Sequence, residues 1–133
     1  MAPRPTDLTL HKASRVLEIS FDDGSTFRLP CEYLRVYSPS AEVRGHGPGQ
    51  AVLQVGKEQV NITAIEPVGH YAVKLVFDDG HDSGLYSWDM LHDLGANQGP
   101  YWEDYLRRLE EAGYRRKDSG TDGGDNAQYY SLQ

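Results

Sequence analysis

The feature that most constrains this chain is a turn that occurs twice. Phe21-Asp22-Asp23-Gly24 and Phe77-Asp78-Asp79-Gly80 are identical, and each closes a run of alternating apolar residues, RVLEISF before the first and YAVKLVF before the second. Alternation with a period of two marks a half-buried strand. Aspartate followed by glycine is a hairpin signal, because glycine tolerates positive φ and aspartate bonds to the turn's own backbone. After each turn comes a short partner strand, Ser25 to Leu29 in one case and SGLYS in the other. An aromatic–aliphatic segment follows each, Tyr33-Leu34 and Trp88 to Leu91. Either FDDG is a good hairpin that recurs by chance, or the chain is a pseudo-repeat of strand, turn, strand and helical turn.

The remaining segments fit around these two hairpins. A short strand is expected from Leu8 to Lys12, and another from Asn61 to Val68, with QAVLQ (50–54) as a further candidate. Pro30 ends the first hairpin because it has no N–H for the ladder. CEYLRV (31–36) reads as a helical turn. Ser87 is a plausible N-cap for a helix ending at Gly95. Pro100 suits the first position of a helix over about 100–112, with Tyr101, Tyr105, Leu106 and Leu109 on one stripe and Gly113 as its C-cap. The expected fold is therefore α+β: a mainly antiparallel β-sheet built from hairpins, one C-terminal amphipathic helix and short helical turns. Residues 1–7 read as a flexible leader, 8–116 as a single domain, and 117–133 as a disordered tail. The stretch from Lys117 to Gln128 has too few apolar groups to offset its ordering entropy. The ending Tyr129 to Leu132 has no assigned role.

Charge and cysteine content limit the function classes. A net charge of −7 argues against nucleic acid as the main partner, since a duplex-binding surface concentrates Lys and Arg. No run of 18 apolar residues is present, so no transmembrane helix is expected, and the N-terminus lacks the apolar core of a signal peptide. Cys31 is the single cysteine and cannot by itself make a disulfide or a metal site. These features point to the cytoplasm and to an acidic protein without membrane or nucleic-acid partners.

Three groups of residues could carry chemistry. The paired carboxylates Asp22/Asp23 and Asp78/Asp79 could be acid–base pairs, but the strand–DDG–strand setting accounts for them as turn residues. Asp79, His81 and Asp82 could hold a divalent ion only with further ligands. Nothing in the sequence sets Cys31 beside His11, His46, His70, His81 or His92 as a nucleophile–base pair. The segment SPSAEVRGHG (38–47) is more informative. Its glycines and polar residues can present amides to an anion, and the flanking Arg35 and Arg44 can fork a carboxylate or phosphate. The other reading is a connection whose serines bond locally. No GxGxxG, P-loop or HExxH pattern is present.

The run LRVYSPSAEVRGHG (34–47), together with FDDGHDSGLYSW (77–88), resembles the gamma-butyrobetaine hydroxylase-like N-terminal domain in its small stand-alone bacterial form. The resemblance covers about residues 8 to 116. In the eukaryotic hydroxylases this domain precedes an iron- and 2-oxoglutarate-dependent catalytic domain. It is similar to a zinc module with a C-P-C-x-x-C motif after Leu-Arg and a histidine in the second motif. The resemblance lays the first cysteine on Ser38, the second on Ser40, the third on Val43, and the histidine on His81. Three of the four ligands are then absent here, so no metal ligand and no cofactor is expected. The same kind of domain is also fused to a P-loop scaffold protein of iron–sulfur assembly.

These observations lead to an expected function without catalysis, that of a binding or adaptor module. It would act through the 35–46 loop and the 81–88 segment, with Arg35, Ser38, Ser40, Glu42, Arg44, His46, His81 and Trp88 as its binding residues. An unidentified protein is the expected partner, and a small anionic ligand is compatible with the arginines. The alternative, implied by the resemblance, is a metal-handling accessory protein for iron–sulfur assembly or iron-dependent oxygenases.

Overall fold

The computed structural model describes residues 3–40, 53–116 and 127–131. Strands β1 (Pro5–His11), β2 (Val16–Phe21) and β3 (Thr26–Pro30) form an antiparallel meander that runs into helix α1 (Cys31–Val36). Strands β4 (Ile62–Val68), β5 (Ala72–Phe77) and β6 (Leu85–Ser87) form a second meander that runs into helix α2 (Trp88–Ala96). Helix α3 (Gln98–Glu111) follows, and strand β7 (Ala127–Ser131) lies antiparallel along the free edge of β1. The protein is thus α+β and antiparallel.

The sequence repeat is a structural repeat. At the first turn the Phe21 amide donates to the Ser25 carbonyl (2.8 Å) and the Gly24 amide to the Phe21 carbonyl (3.1 Å). At the second, Phe77 donates to His81 (2.9 Å) and Gly80 to Phe77 (3.2 Å). Gly24 and Gly80 hold φ of 89° and 90°, a region closed to most other residues. Asp22 accepts the Arg4 amide at 3.0 Å, and Asp78 accepts the Asn61 amide at 3.1 Å, each clasping the strand that opens its meander. Both opening strands shift register beside this clasp, between Pro5 and Asp7 and between Ile62 and Ala64. The first aspartate of each pair is held in turn and strand contacts.

One apolar core joins the two meanders. Leu8, Leu10, Leu17, Ile19 and Leu29 from the first sheet meet Ile65, Val73, Leu75, Phe77 and Tyr86 from the second, with Tyr33, Leu34, Leu91 and Leu94 from the helices. Buried tyrosine hydroxyls need partners. Tyr33 donates to the Leu94 carbonyl at 2.7 Å and Tyr86 to the Leu34 carbonyl at 2.6 Å, so two of these hydroxyls tie the repeats together.

Several boundaries differ from the sequence reading. Gly95 lies inside α2 rather than ending it. A Cβ there would come within 2.3 Å of the Phe27 ring, so close packing rather than capping requires glycine. Helix α3 starts at Gln98, two residues before Pro100. A proline is tolerated there because the first helical amides have no intrahelical acceptor. Its C-terminus closes as expected at Gly113, with Tyr114 N–H donating to Leu109 and Gly113 N–H to Glu110. Trp102, which falls off the apolar stripe, is half-buried between Tyr33 and Tyr105. In the stretch read as a disordered tail, Ala127–Ser131 is a strand, because the edge of β1 supplies the backbone partners that composition does not reveal.

Candidate functional site

Helix α1 is fully buried, including Glu32 and Arg35. It delivers the chain through Tyr37 into Ser38-Pro39-Ser40, against the residues just past the second FDDG turn. Ser38 Oγ lies 2.8 Å from His81 Nε2, and both side chains are buried. Ser40 donates its amide to Ser38 Oγ at 3.2 Å, and its own hydroxyl lies 2.7 Å from that of Ser83. Gly84 makes room for this contact, since a Cβ there would sit 2.6 Å from Ser38 Oγ. Two segments more than forty residues apart in sequence are therefore clasped by paired hydroxyls and one imidazole.

Next to the clasp is an ion-pair cluster centred on Asp79. Its Oδ2 accepts from Arg35 Nε (2.9 Å) and Lys57 Nζ (2.7 Å), and its Oδ1 from the His81 amide (3.1 Å). Arg35 also donates to Gln54 Oε1 at 3.0 Å. Partial burial alone would raise the Asp79 carboxyl. Lys57, the His81 amide and Arg35 outweigh it and bring the pKa down to about 2. A carboxylate with a lowered folded pKa stabilises the fold above its unfolded value, near 4, and that contribution is lost as pH falls through the folded value. Acid titration between about pH 4 and 2 should therefore remove about 2 kcal/mol of stability through Asp79. In Asp79→Asn this part of the acid limb should flatten in denaturant melts recorded across that window. An unchanged limb would show that another carboxylate carries it.

Of the binding residues expected from sequence, Ser38, Ser40 and His81 come together, and Arg35 lies beside them through Asp79. Arg35 is buried and occupied by Asp79 and Gln54, an arrangement suited to holding α1 against the second turn. Glu42, Arg44 and His46 lie outside the described residues, as does Val43. Trp88 is positioned differently. Its indole donates to the His70 carbonyl at 2.7 Å, and it lines a cleft of about 310 Å³ with Arg4, His70, Tyr71 and Asp89. Ser83 and Gly84 lie within the expected 81–88 segment but are not among its expected binding residues. Gln54 and Lys57 lie outside both expected segments and carry no local signal.

The donor set at the clasp is hydroxyls and one imidazole. Among the described residues no three His, Cys, Asp or Glu side chains gather as a metal-ligating group. Cys31 is buried, contacts Asn61 Oδ1 at 3.8 Å, and is pushed by desolvation to a pKa of about 12, which suppresses the thiolate needed for ligation or attack. A structural zinc site needs four nitrogen or sulfur donors, and the described residues of the clasp do not supply them.

Comparison with known proteins extends the geometry. The family model described as gamma-butyrobetaine hydroxylase-like, N-terminal, matches residues 8–92. A protein solved by solution NMR is 58% identical, with 92% of this chain and 91% of that one covered and a TM-score of 0.76. A second NMR structure is 45% identical over 93% of this chain and 98% of its own, also with a TM-score of 0.76. A crystal structure of a protein with unknown function from Acidithiobacillus ferrooxidans, of the DUF971 family, is 40% identical. It covers 70% of this chain and 93% of its own, with a TM-score of 0.59. No curated protein matches the chain.

Proposed function

The chain belongs to the gamma-butyrobetaine hydroxylase-like N-terminal family, and from that premise we propose that it is a non-catalytic binding or adaptor module. It works through the 35–46 loop and the adjoining 81–88 segment. The family's zinc positions are retained as a degenerate site, in which hydrogen bonds do the tethering that a metal would do. The observation that carries this reading is the buried 2.8 Å contact between Ser38 Oγ and His81 Nε2. It fixes the start of the loop to the second turn and leaves the exposed Asp82 and Ser83 beside it. A loop held on a rigid scaffold is where binding residues are commonly placed. The partner is a protein, and Arg44 and His46 offer it cationic and hydrogen-bonding groups.

The reading is tested by capturing partners on the immobilised, untagged chain. Arg44→Ala combined with His46→Ala should lower recovery of a specific partner at least tenfold while leaving the melting temperature unchanged. Equal recovery by the double variant would remove the loop from the site. Elemental analysis of the same preparation, before and after incubation with zinc and iron, addresses the metal-handling alternative. Near-stoichiometric metal would favour that alternative over a module that functions without one.

A further inference from the structure

The edge of β1 is a site for an added strand. The meander β1–β2–β3 satisfies one side of β1 and leaves the other as a row of backbone donors and acceptors. An edge of this kind is a template for another extended chain. Here Ala127–Ser131 occupies it, antiparallel, with Asp7 opposite Ser131, Thr9 opposite Tyr129 and His11 opposite Ala127. This occupant has no charged residue and has two adjacent tyrosines, and it is joined to the domain through Lys117–Asn126, a run with three aspartates, three glycines and no apolar side chain. Both repeats are complete without β7: each has its three strands, its turn and its helix, and among the described residues the second has no counterpart of β7.

We propose that β7 is an exchangeable occupant of a strand-addition site. The β1 edge binds an uncharged, tyrosine-bearing extended segment of a partner protein in its place. Main-chain bonds to residues 7–11 provide the attachment, and alternate side chains of the incoming strand provide the selectivity. A tethered strand competes at an effective concentration on the order of millimolar, so β7 screens the edge from weak or charged segments and yields to a segment that fits better. This site is independent of the 35–46 loop.

The test uses the full chain and its Tyr129→Pro/Tyr130→Pro variant. The double substitution removes the strand's amide toward β1 whichever of the two faces it. Backbone amide exchange is followed residue by residue, and a synthetic end-capped peptide of residues 126–133 serves as the probe. In the parent chain, β1 amides should be protected on both edges, with the peptide without effect below about millimolar, the range set by the tether. In the variant, alternate amides within residues 7–11 should lose at least tenfold in protection while those of β2 and β5 keep theirs. The added peptide should then restore protection at the same positions, and a peptide with lysine at both tyrosine positions should not. Unchanged protection of β1 in the variant would overturn the proposal, as would failure of the peptide to restore it. Loss of protection in β2 and β5 as well would make β7 an integral strand and would equally overturn the proposal.

Discussion

Replacing Arg116 with alanine is expected to lower the free energy of unfolding by about 3 kcal/mol, the range measured when one partner of a buried ion pair is removed. Glu32 lies on α1 with its side chain 4% exposed, inside the protein rather than at its surface. Arg116 reaches it from beyond the end of α3, donating from Nε to both carboxylate oxygens at 3.0 and 2.8 Å. Tyr105 donates its hydroxyl to Oε2 at 2.8 Å. Burial raises the Tyr105 hydroxyl pKa strongly, and the bond to Glu32 raises it further, so the phenol remains a donor at any ordinary pH. The guanidinium also lies over the Trp102 ring, 5.3 Å from its centroid. Removing Arg116 leaves a buried carboxylate with one neutral donor among the described residues, Tyr105, and that uncompensated charge is the main cost. Arg116→Lys should recover part of the loss, because an ammonium restores the charge without the two-pronged geometry. Glu32→Gln in the Arg116→Ala background should recover more, because it removes the buried charge itself. Chemical denaturation of the four proteins measures this directly. If Arg116→Ala costs less than about 1 kcal/mol, the pair behaves as an exposed one and α3 is held by its apolar face alone.

The Glu32 network also shows where sequence reading reached its limit. The FDDG turns could be read because every group that defines them lies within five residues. Their backbone conformation follows from local chemistry, and so did the strands on either side. Glu32 gives no such signal: its partners lie 73 and 84 residues away, and only the completed fold brings α1 and the end of α3 together. Arg35 meets the same limit: its partner Asp79 lies 44 residues on, and only the completed fold brings the two side chains to 2.9 Å. Gly95 had the position of a helix end, but the Phe27 ring that excludes a side chain there comes from another strand. By contrast, the grouping of Ser38, Ser40 and His81 could be inferred from family resemblance, although no spacing within the chain points to it. β7 was hidden because edge pairing draws on backbone groups, which every sequence has.

Placing thiols at positions 38, 40 and 43, where the family resemblance lays its three cysteines, should convert the clasp into a metal site. The Ser38→Cys, Ser40→Cys, Val43→Cys variant is expected to bind one zinc ion at least a thousandfold more tightly than the parent chain. Cysteines at 40 and 43 give the C-x-x-C spacing of zinc sites, and the third thiol would replace the hydroxyl that now touches His81. Between Ser38 and His81 the geometry needs only a small adjustment. Ser38 Oγ and His81 Nε2 are 2.8 Å apart, whereas two donors of a tetrahedral zinc ion, bonded at about 2.3 and 2.0 Å, lie about 3.5 Å apart. The pair must open by less than an ångström, and the clasp's hydrogen bonds would be exchanged for coordinate bonds. Because structural zinc sites contribute on the order of 10 kcal/mol to folding, the loaded variant should melt well above the parent chain, and a chelator should reverse the gain. Adding His81→Ala to the triple variant removes one of four donors and should weaken zinc binding by more than tenfold. If the triple variant takes up no more zinc than the parent, or if His81→Ala makes no difference in it, then Ser38, Ser40 and Val43 do not correspond to the family's ligands. The clasp would then be a polar contact of this chain alone, unrelated to the family's zinc module.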